Sequence, residues 1–142
     1  MSDDNHSVDR LGLEILTYEE CWQLLTDTPI GRIAFFDSGS PEILPVTHAV
    51  TGGRIVFRSV AGTKLDNTST APVVAFEVDG WNAEARCGWS VMARGTAESA
   101  PLDADELDAL GLVPWVDEAA GGTWISIRVD EISGRRLTHP SS

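Results

Sequence analysis

The chain has 142 residues, 42% of them hydrophobic and 23% charged, with a formal net charge of −12. One domain of this length buries a core without a disulfide or metal staple. Ten basic residues stand against 22 acidic ones, which argues against a nucleic-acid partner, since that needs a basic face. No apolar run approaches the ~20 residues of a membrane-spanning helix.

The two cysteines, Cys21 and Cys87, form no CxxC pair, so a reduced, cytoplasmic setting is expected. Met1 to Arg10 is polar and lacks the apolar stretch of a signal peptide. Residues 1–12 read as a flexible tail, 13–137 as one domain and 138–142 as a second tail. Thr17-Tyr18-Glu19-Glu20 matches a capping box. Tyr18, Cys21, Trp22 and Leu25 then recur on one helical face, and Pro29 ends the helix near Asp27.

From Ile30 the pattern is that of strands. Ile30 to Phe36 is apolar and aromatic, and Asp37 to Pro41 is a turn cluster. Glu42 to Val50 reads as a second strand, with Pro45 marking a bulge or an edge. Thr51-Gly52-Gly53 signals a hairpin, and Arg54 to Ser59 alternates with Ile55 and Phe57 on one face. Residues 62–70 have room for one or two helical turns. Pro72 to Asp79 reads as a central strand and Asp79 to Asn82 as a turn. Arg86 to Glu98 is a long alternating strand, with Gly88 and Gly95 as bend points. Asp103 to Leu110 reads as a short acidic helix, Gly111 to Ala120 as irregular, and Trp124 to Ile132 as the last strand, ended by Gly134-Arg135-Arg136. Six strands at this spacing, most joined by short turns, predict a mainly β protein: a small antiparallel barrel with an N-terminal helix and short inserted helices.

The sharpest chemical signal is Arg58-Ser59-Val60-Ala61-Gly62-Thr63-Lys64. It follows a strand and holds the only lysine of a strongly acidic chain. Two cations, two hydroxyls and a glycine-permitted turn are the donors that a phosphate group needs. The chain lacks the dinucleotide, P-loop, nucleophile-elbow and zinc-protease motifs. His6 and His139 lie near the ends. His48 sits in a strand, where a packing role competes with a chemical one. The acidic run Asp103, Asp105, Glu106 and Asp108 reads as a solvated helix rather than a cation site.

In order and spacing, several runs resemble the pyridoxamine 5′-phosphate oxidase-like, FMN-binding split barrels, and within them the small actinobacterial-type and nitroimidazole-resistance-like members. They are Ile30 to Ala34, Pro41 to Val46, Ile55 to Ser59, Gly62 to Leu65, Val73 to Asp79, Gly88 to Gly95, Pro114-Trp115 and Ile132 to Arg136. The resemblance implies a six-stranded antiparallel split barrel, a homodimer, and FMN bound where two subunits meet. Carried over by position, Arg58, Ser59, Gly62, Thr63 and Lys64 hold the phosphate. Leu44, Pro45, Val46 and Thr47 line the flavin ring through backbone groups. Trp89 and Ser90 stand where relatives reach FMN from the partner subunit with a Gln-Ser pair.

The chain departs from the vitamin-metabolising relatives at Ile43, where they carry a basic residue, and at His48, where they carry a lysine. Arg135-Arg136-Leu137-Thr138-His139 only echoes their substrate clamp, so pyridoxamine phosphate oxidation is not the expected activity. The expected function is that of an FMN-dependent oxidoreductase acting with a small-molecule substrate or electron donor, His48 serving as a proton donor beside the ring. The alternatives are a flavin-binding or sequestering protein without turnover, and a deazaflavin- or haem-binding barrel.

Overall fold

The computed structural model describes residues 7–59, 65, 70–113 and 122–138. Its elements are β1 (Glu14–Ile15), α1 (Tyr18–Asp27), β2 (Ile30–Asp37), β3 (Ser40–Thr47), β4 (Ala49–Thr51), β5 (Arg54–Arg58), β6 (Val73–Asn82), β7 (Cys87–Ser99), α2 (Ala104–Ala109) and β8 (Trp124–Leu137). One antiparallel sheet runs β3-β2-β6-β7-β8-β5-β4, with β1 added to the end of β8. It curls around an apolar interior, giving the split barrel that the strand count predicts, with β1 and β4 as short additions to six main strands.

Alternation of side chains across each strand builds the interior. Ile33 and Phe35 of β2, Val74, Phe76 and Val78 of β6, Val91, Ala93 and Ala97 of β7, and Ile125 and Ile127 of β8 all point inward and are buried. Phe57 stacks on Phe76 at 6.2 Å between ring centroids. Leu16, Cys21 and Leu25 join this interior from the N-terminal side, with α1 docked on the barrel. The capping box forms as expected: Thr17 Oγ1 accepts from the Glu20 amide, and Glu20 Oε1 accepts from the Thr17 amide. On β5, Val56 is buried as well as Ile55 and Phe57, so that strand is covered on both faces.

Three boundaries differ from the sequence reading, the first two because strand pairing outweighs local turn signals. Residues 79–82 are strand rather than turn, since β6 pairs with β7 as far as Asn82↔Cys87. The reversal falls on residues 83–86, where Asn82 Oδ1 accepts from the Ala85 amide and Arg86 takes a left-handed φ of 55°. Gly134 to Arg136 do not end the last strand, because Arg135 and Arg136 pair with both β7 and β1. Finally, the expected strand from Glu42 to Val50 divides at His48: its amide donates to Pro29 O in register with β2, but Pro29 has no N–H to return, and from Ala49 the chain pairs with β5 instead. The hairpin at Gly52-Gly53 is as expected, with φ of 58° and 72°.

β7 and β8 pair from Gly88↔Leu137 to Ser99↔Ile125, with a register shift between Arg94 and Gly95. Of the two expected bend points, the shift falls at Gly95. A Cβ there would lie 2.1 Å from Arg128 O, so only glycine lets the two backbones meet at the bulge. Gly95→Ala is therefore expected to lower unfolding free energy by roughly 1–3 kcal/mol or more, the range of an overpacked interior. Urea denaturation of both forms measures this; an unchanged midpoint would show that the bulge relaxes freely.

Candidate functional site

The end of β5 positions the first group of candidate residues. Ser59 is buried, its amide donates to Thr123 O at 2.8 Å, and its Oγ accepts from the Thr123 amide at 3.0 Å. This two-way tie to the start of β8 fixes where the chain leaves the sheet. Arg58 pairs with Trp124 across the same two strands. Gly62, Thr63 and Lys64 lie outside the described residues.

The end of β3 joins this group through topology. β4 pairs with β5 at Ala49↔Val56, and β3, which leads into β4, also lies against β5. Val46 is buried and Leu44 packs on the core, so their side chains are committed to the interior. Pro45 and Thr47 alternate outward, and Thr47 Oγ1 donates to Val113 O at 2.7 Å. β3 stands at one end of the strand order. Along such an edge, alternate backbone N–H and C=O groups point away from the neighbouring strand. What this segment offers a ligand is backbone, as the resemblance implies.

His48 sits behind this edge, 5% exposed. Its Nε2 lies 2.9 Å from Leu25 O, and since a carbonyl only accepts, Nε2 carries the proton. Nδ1 is buried without a hydrogen-bond partner among the described residues, and the ring meets Phe76 edge-on at 4.8 Å. Burial pushes the imidazole pKa below its ordinary value, opposed by the Leu25 carbonyl. Here His48 is a packed group tying the last turn of α1 to the β3–β4 junction, with no nitrogen open at the surface.

Trp89 and Ser90 lie elsewhere. Neighbouring residues of a strand face opposite sides, and these two do. Trp89 pairs with Gly80 and Arg136, and its indole covers Gly80, where a Cβ would lie 2.7 Å from Nε1. Ser90 is exposed on the outer face between Asp79 and Arg135. From Trp124, beside Arg58, to Arg135, beside Ser90, β8 advances eleven residues through the irregularity at Gly95. The structure therefore sets the end of β3 near Arg58 and Ser59 of β5, and places Ser90 on the outer face of β7, three strands from Thr47.

Three features went unread in the sequence. Thr123 is the anchor of Ser59. Trp81, taken as a turn residue, is 63% exposed on the outer face near Ser90. Arg32 donates to Glu77 at 3.3 Å and to Asp79 at 3.1 Å across β2 and β6. Partial burial, together with the neighbouring Asp79 carboxylate, pushes the Glu77 pKa up to about 7, against the pull of Arg32. Period-two alternation with opposite charges on adjacent strands is the signal that could have found this cluster.

The family model described as pyridoxamine 5′-phosphate oxidase matches residues 17–136, and the chain belongs to that family. The uncharacterized protein Rv0080 of Mycobacterium tuberculosis is 32% identical over 133 residues, covering 89% of this chain and 86% of its own length. Among solved structures, the FAD binding protein from Mycobacterium smegmatis is 30% identical with a TM-score of 0.66, over 88% of this chain and 98% of that one. A FAD-binding protein from Mesorhizobium loti has a TM-score of 0.71 at 24% identity, over 89% of this chain and 98% of that one, and it bears on the fold alone.

The His48 geometry sets a pH dependence. Its pKa is lower folded than unfolded, so the unfolded chain takes up the proton first as pH falls. The contribution of His48 to stability is then full above the ordinary value of 6.5 and declines as pH falls below it toward the folded pKa. His48→Gln is expected to be less stable than wild type at about pH 7.5, with the gap narrowing toward about pH 5.5. Urea melts at both values check this; a gap that widens on acidification would contradict it.

Proposed function

We propose that the chain is a flavin-binding oxidoreductase that holds FMN in a site completed by a second copy of itself. The observation carrying this reading is the separation of the two groups of candidate residues. Arg58 and Ser59 lie at the end of β5 beside β3, while Ser90 stands on the outer face of β7, three strands from Thr47 across β3-β2-β6-β7. A two-fold pair of chains supplies each group once to each of two sites.

The residues at hand suit the cofactor. Arg58, with Lys64 a few residues on, offers cations for a phosphate, and the Ser59 hydroxyl is held in place by Thr123. The β3 edge offers backbone donors and acceptors to a ring. FMN, when bound, supplies the hydride or electron chemistry for a small-molecule donor or acceptor. We read His48 as a positioning residue, since it fixes the backbone next to Thr47 from behind. Its enclosed ring also favours a second reading, in which the protein carries flavin without turnover.

The outer face of β3, β2, β6 and β7 is the surface that a second copy would cover. Ile30, Phe36, Ile43, Val73 and Trp81 are exposed along it, more apolar area than a solitary domain usually leaves in water. Arg32, Glu77 and Asp79 share a groove there with Ile43, Ala34, Ala75 and Met92. Burial and the neighbouring Asp79 carboxylate raise the Glu77 pKa, and Arg32 offsets the acids of the cluster, which lowers the cost of covering it.

The purified protein is expected to show bands near ~450 nm and to release FMN on denaturation. A protein that is colourless and takes up no added flavin would overturn the reading. Lys64→Ala is expected to weaken FMN binding about tenfold to a hundredfold, the loss of one charge-assisted contact, while Arg10→Ala leaves it unchanged. Ile43→Glu is expected to sediment as a monomer and to lose flavin with its partner. A dimeric Ile43→Glu protein would place the interface elsewhere.

A further inference from the structure

The N-terminal segment folds back on itself before α1. The Asp9 amide donates to Leu13 O at 2.9 Å, the Gly12 amide to Asp9 O at 3.0 Å and the Ile15 amide to Ser7 O at 2.7 Å. The Asp9 side chain organises this turn: Oδ1 accepts from the amides of Leu11 at 2.8 Å and Leu13 at 3.0 Å. Its other oxygen, Oδ2, accepts from Arg135 Nε at 3.0 Å. The Leu13 amide, aided by the Leu11 amide and Arg135 and opposed by burial, holds the Asp9 carboxyl below the usual carboxylate range. Asp9 is therefore an anion at neutral pH, seated on a guanidinium.

β1 lays this turn against the end of β8, with Ile15 paired to Arg135. Beside the ion pair is a groove of about 360 Å³ whose lining includes Leu13, Trp81, Leu137, Arg135, Ser90 and the Asp79 carboxylate. An indole face, two leucines, a guanidinium and a hydroxyl converge there. Those are the partners of a planar aromatic anion: stacking and apolar contact for the ring, a cation and a donor for the charge. The volume is in the range of small-molecule sites. The carboxylate of Asp9 already occupies the place on Arg135 that such a ligand would claim.

We propose that residues 7–13 form a displaceable strap, and that an aromatic anion entering the Trp81–Ser90 groove takes Arg135 from Asp9 and releases the turn. The proposal rests on the reading that Ser90 faces the flavin site of a second copy, and it couples loading of that site to the N-terminal segment. Coupling is reciprocal. A ligand that opens the strap binds more tightly to a chain whose strap is weakened.

Arg10 lies exposed within the turn, so the strap can be read by tryptic cleavage after Arg10 in the full chain, followed by mass spectrometry. The probe is 2-naphthoate, with the neutral 2-naphthylmethanol beside it. Cleavage at Arg10 is expected to quicken several-fold with 2-naphthoate and not with the alcohol, the reverse of the protection that ligands usually confer. Asp9→Asn keeps an acceptor for the Leu11 and Leu13 amides but loses the charge facing Arg135. It is expected to be cleaved faster without ligand and to bind 2-naphthoate several-fold more tightly.

Arg135→Gln is also expected to be cleaved faster, but to bind 2-naphthoate about tenfold more weakly. The opposite signs of the two affinity changes separate a strap from a loss of folding. Unchanged cleavage in wild type with bound 2-naphthoate would overturn the proposal, as would an Asp9→Asn chain that binds no better than wild type. If that happens in a protein that retains FMN, the strap falls and the flavin reading stands. If neither FMN nor 2-naphthoate binds, both fall.

Discussion

The long antiparallel pairing of β7 with β8 is the constraint on which the rest depends. It runs from Gly88↔Leu137 to Ser99↔Ile125 without a break other than the shift at Gly95. Hydrogen bonds along such a ladder are individually modest but act together, so its two ends keep their distance. One end carries the start of β8, where Thr123 pins Ser59 beside Arg58. The other carries Ser90, Arg135 and the docked N-terminal turn. The proposed function assigns one group of flavin contacts to each end.

The end near Arg58 is built from behind as much as from its own residues. His48 links α1 to the β3–β4 junction through Leu25 O, and Thr47 is held from outside by Val113 O. Both contacts fix backbone rather than offer reactive atoms. This is an arrangement for presenting a strand edge and a turn to a ligand that brings its own chemistry. The opposite end is more open. Trp81 and Leu137 are exposed there, and an internal carboxylate is lodged on Arg135. That end invites a partner and a ligand together.

Much of the fold was legible in the sequence because its signals are local. The Thr17 capping box, the Gly52-Gly53 hairpin and the alternation of β6 and β7 each name their structure within a few residues. The misread boundaries were those where distant pairing decides. Asp79 to Asn82 carries turn residues but is held extended by Cys87 to Ser90, and Gly134 to Arg136 is held by both β1 and β7. The site was legible in part for the same reason. The cations, hydroxyls and glycine of Arg58 to Lys64, the composition a phosphate would need, form a contiguous run, whereas the Thr123 anchor, the Asp9–Arg135 ion pair and the Arg32 cluster join residues far apart in the chain. That Trp89 and Ser90 point to opposite faces follows from strand period alone, but the distance between Ser90 and Arg58 needed the β7–β8 register.

The central claim, one flavin site built from two chains, is tested most directly by subunit complementation. Lys64→Ala damages one group of residues and Ser90→Glu the other, so each homodimer has two damaged sites. In a heterodimer of the two variants, isolated with different affinity tags, sites shared between chains leave one site intact and one doubly damaged. The measurement is bound flavin per heterodimer. The account predicts recovery of about one flavin per pair of chains, half the wild-type load for a two-fold dimer. A heterodimer that binds no more flavin than either parent would contradict it, because each site would then belong to a single chain.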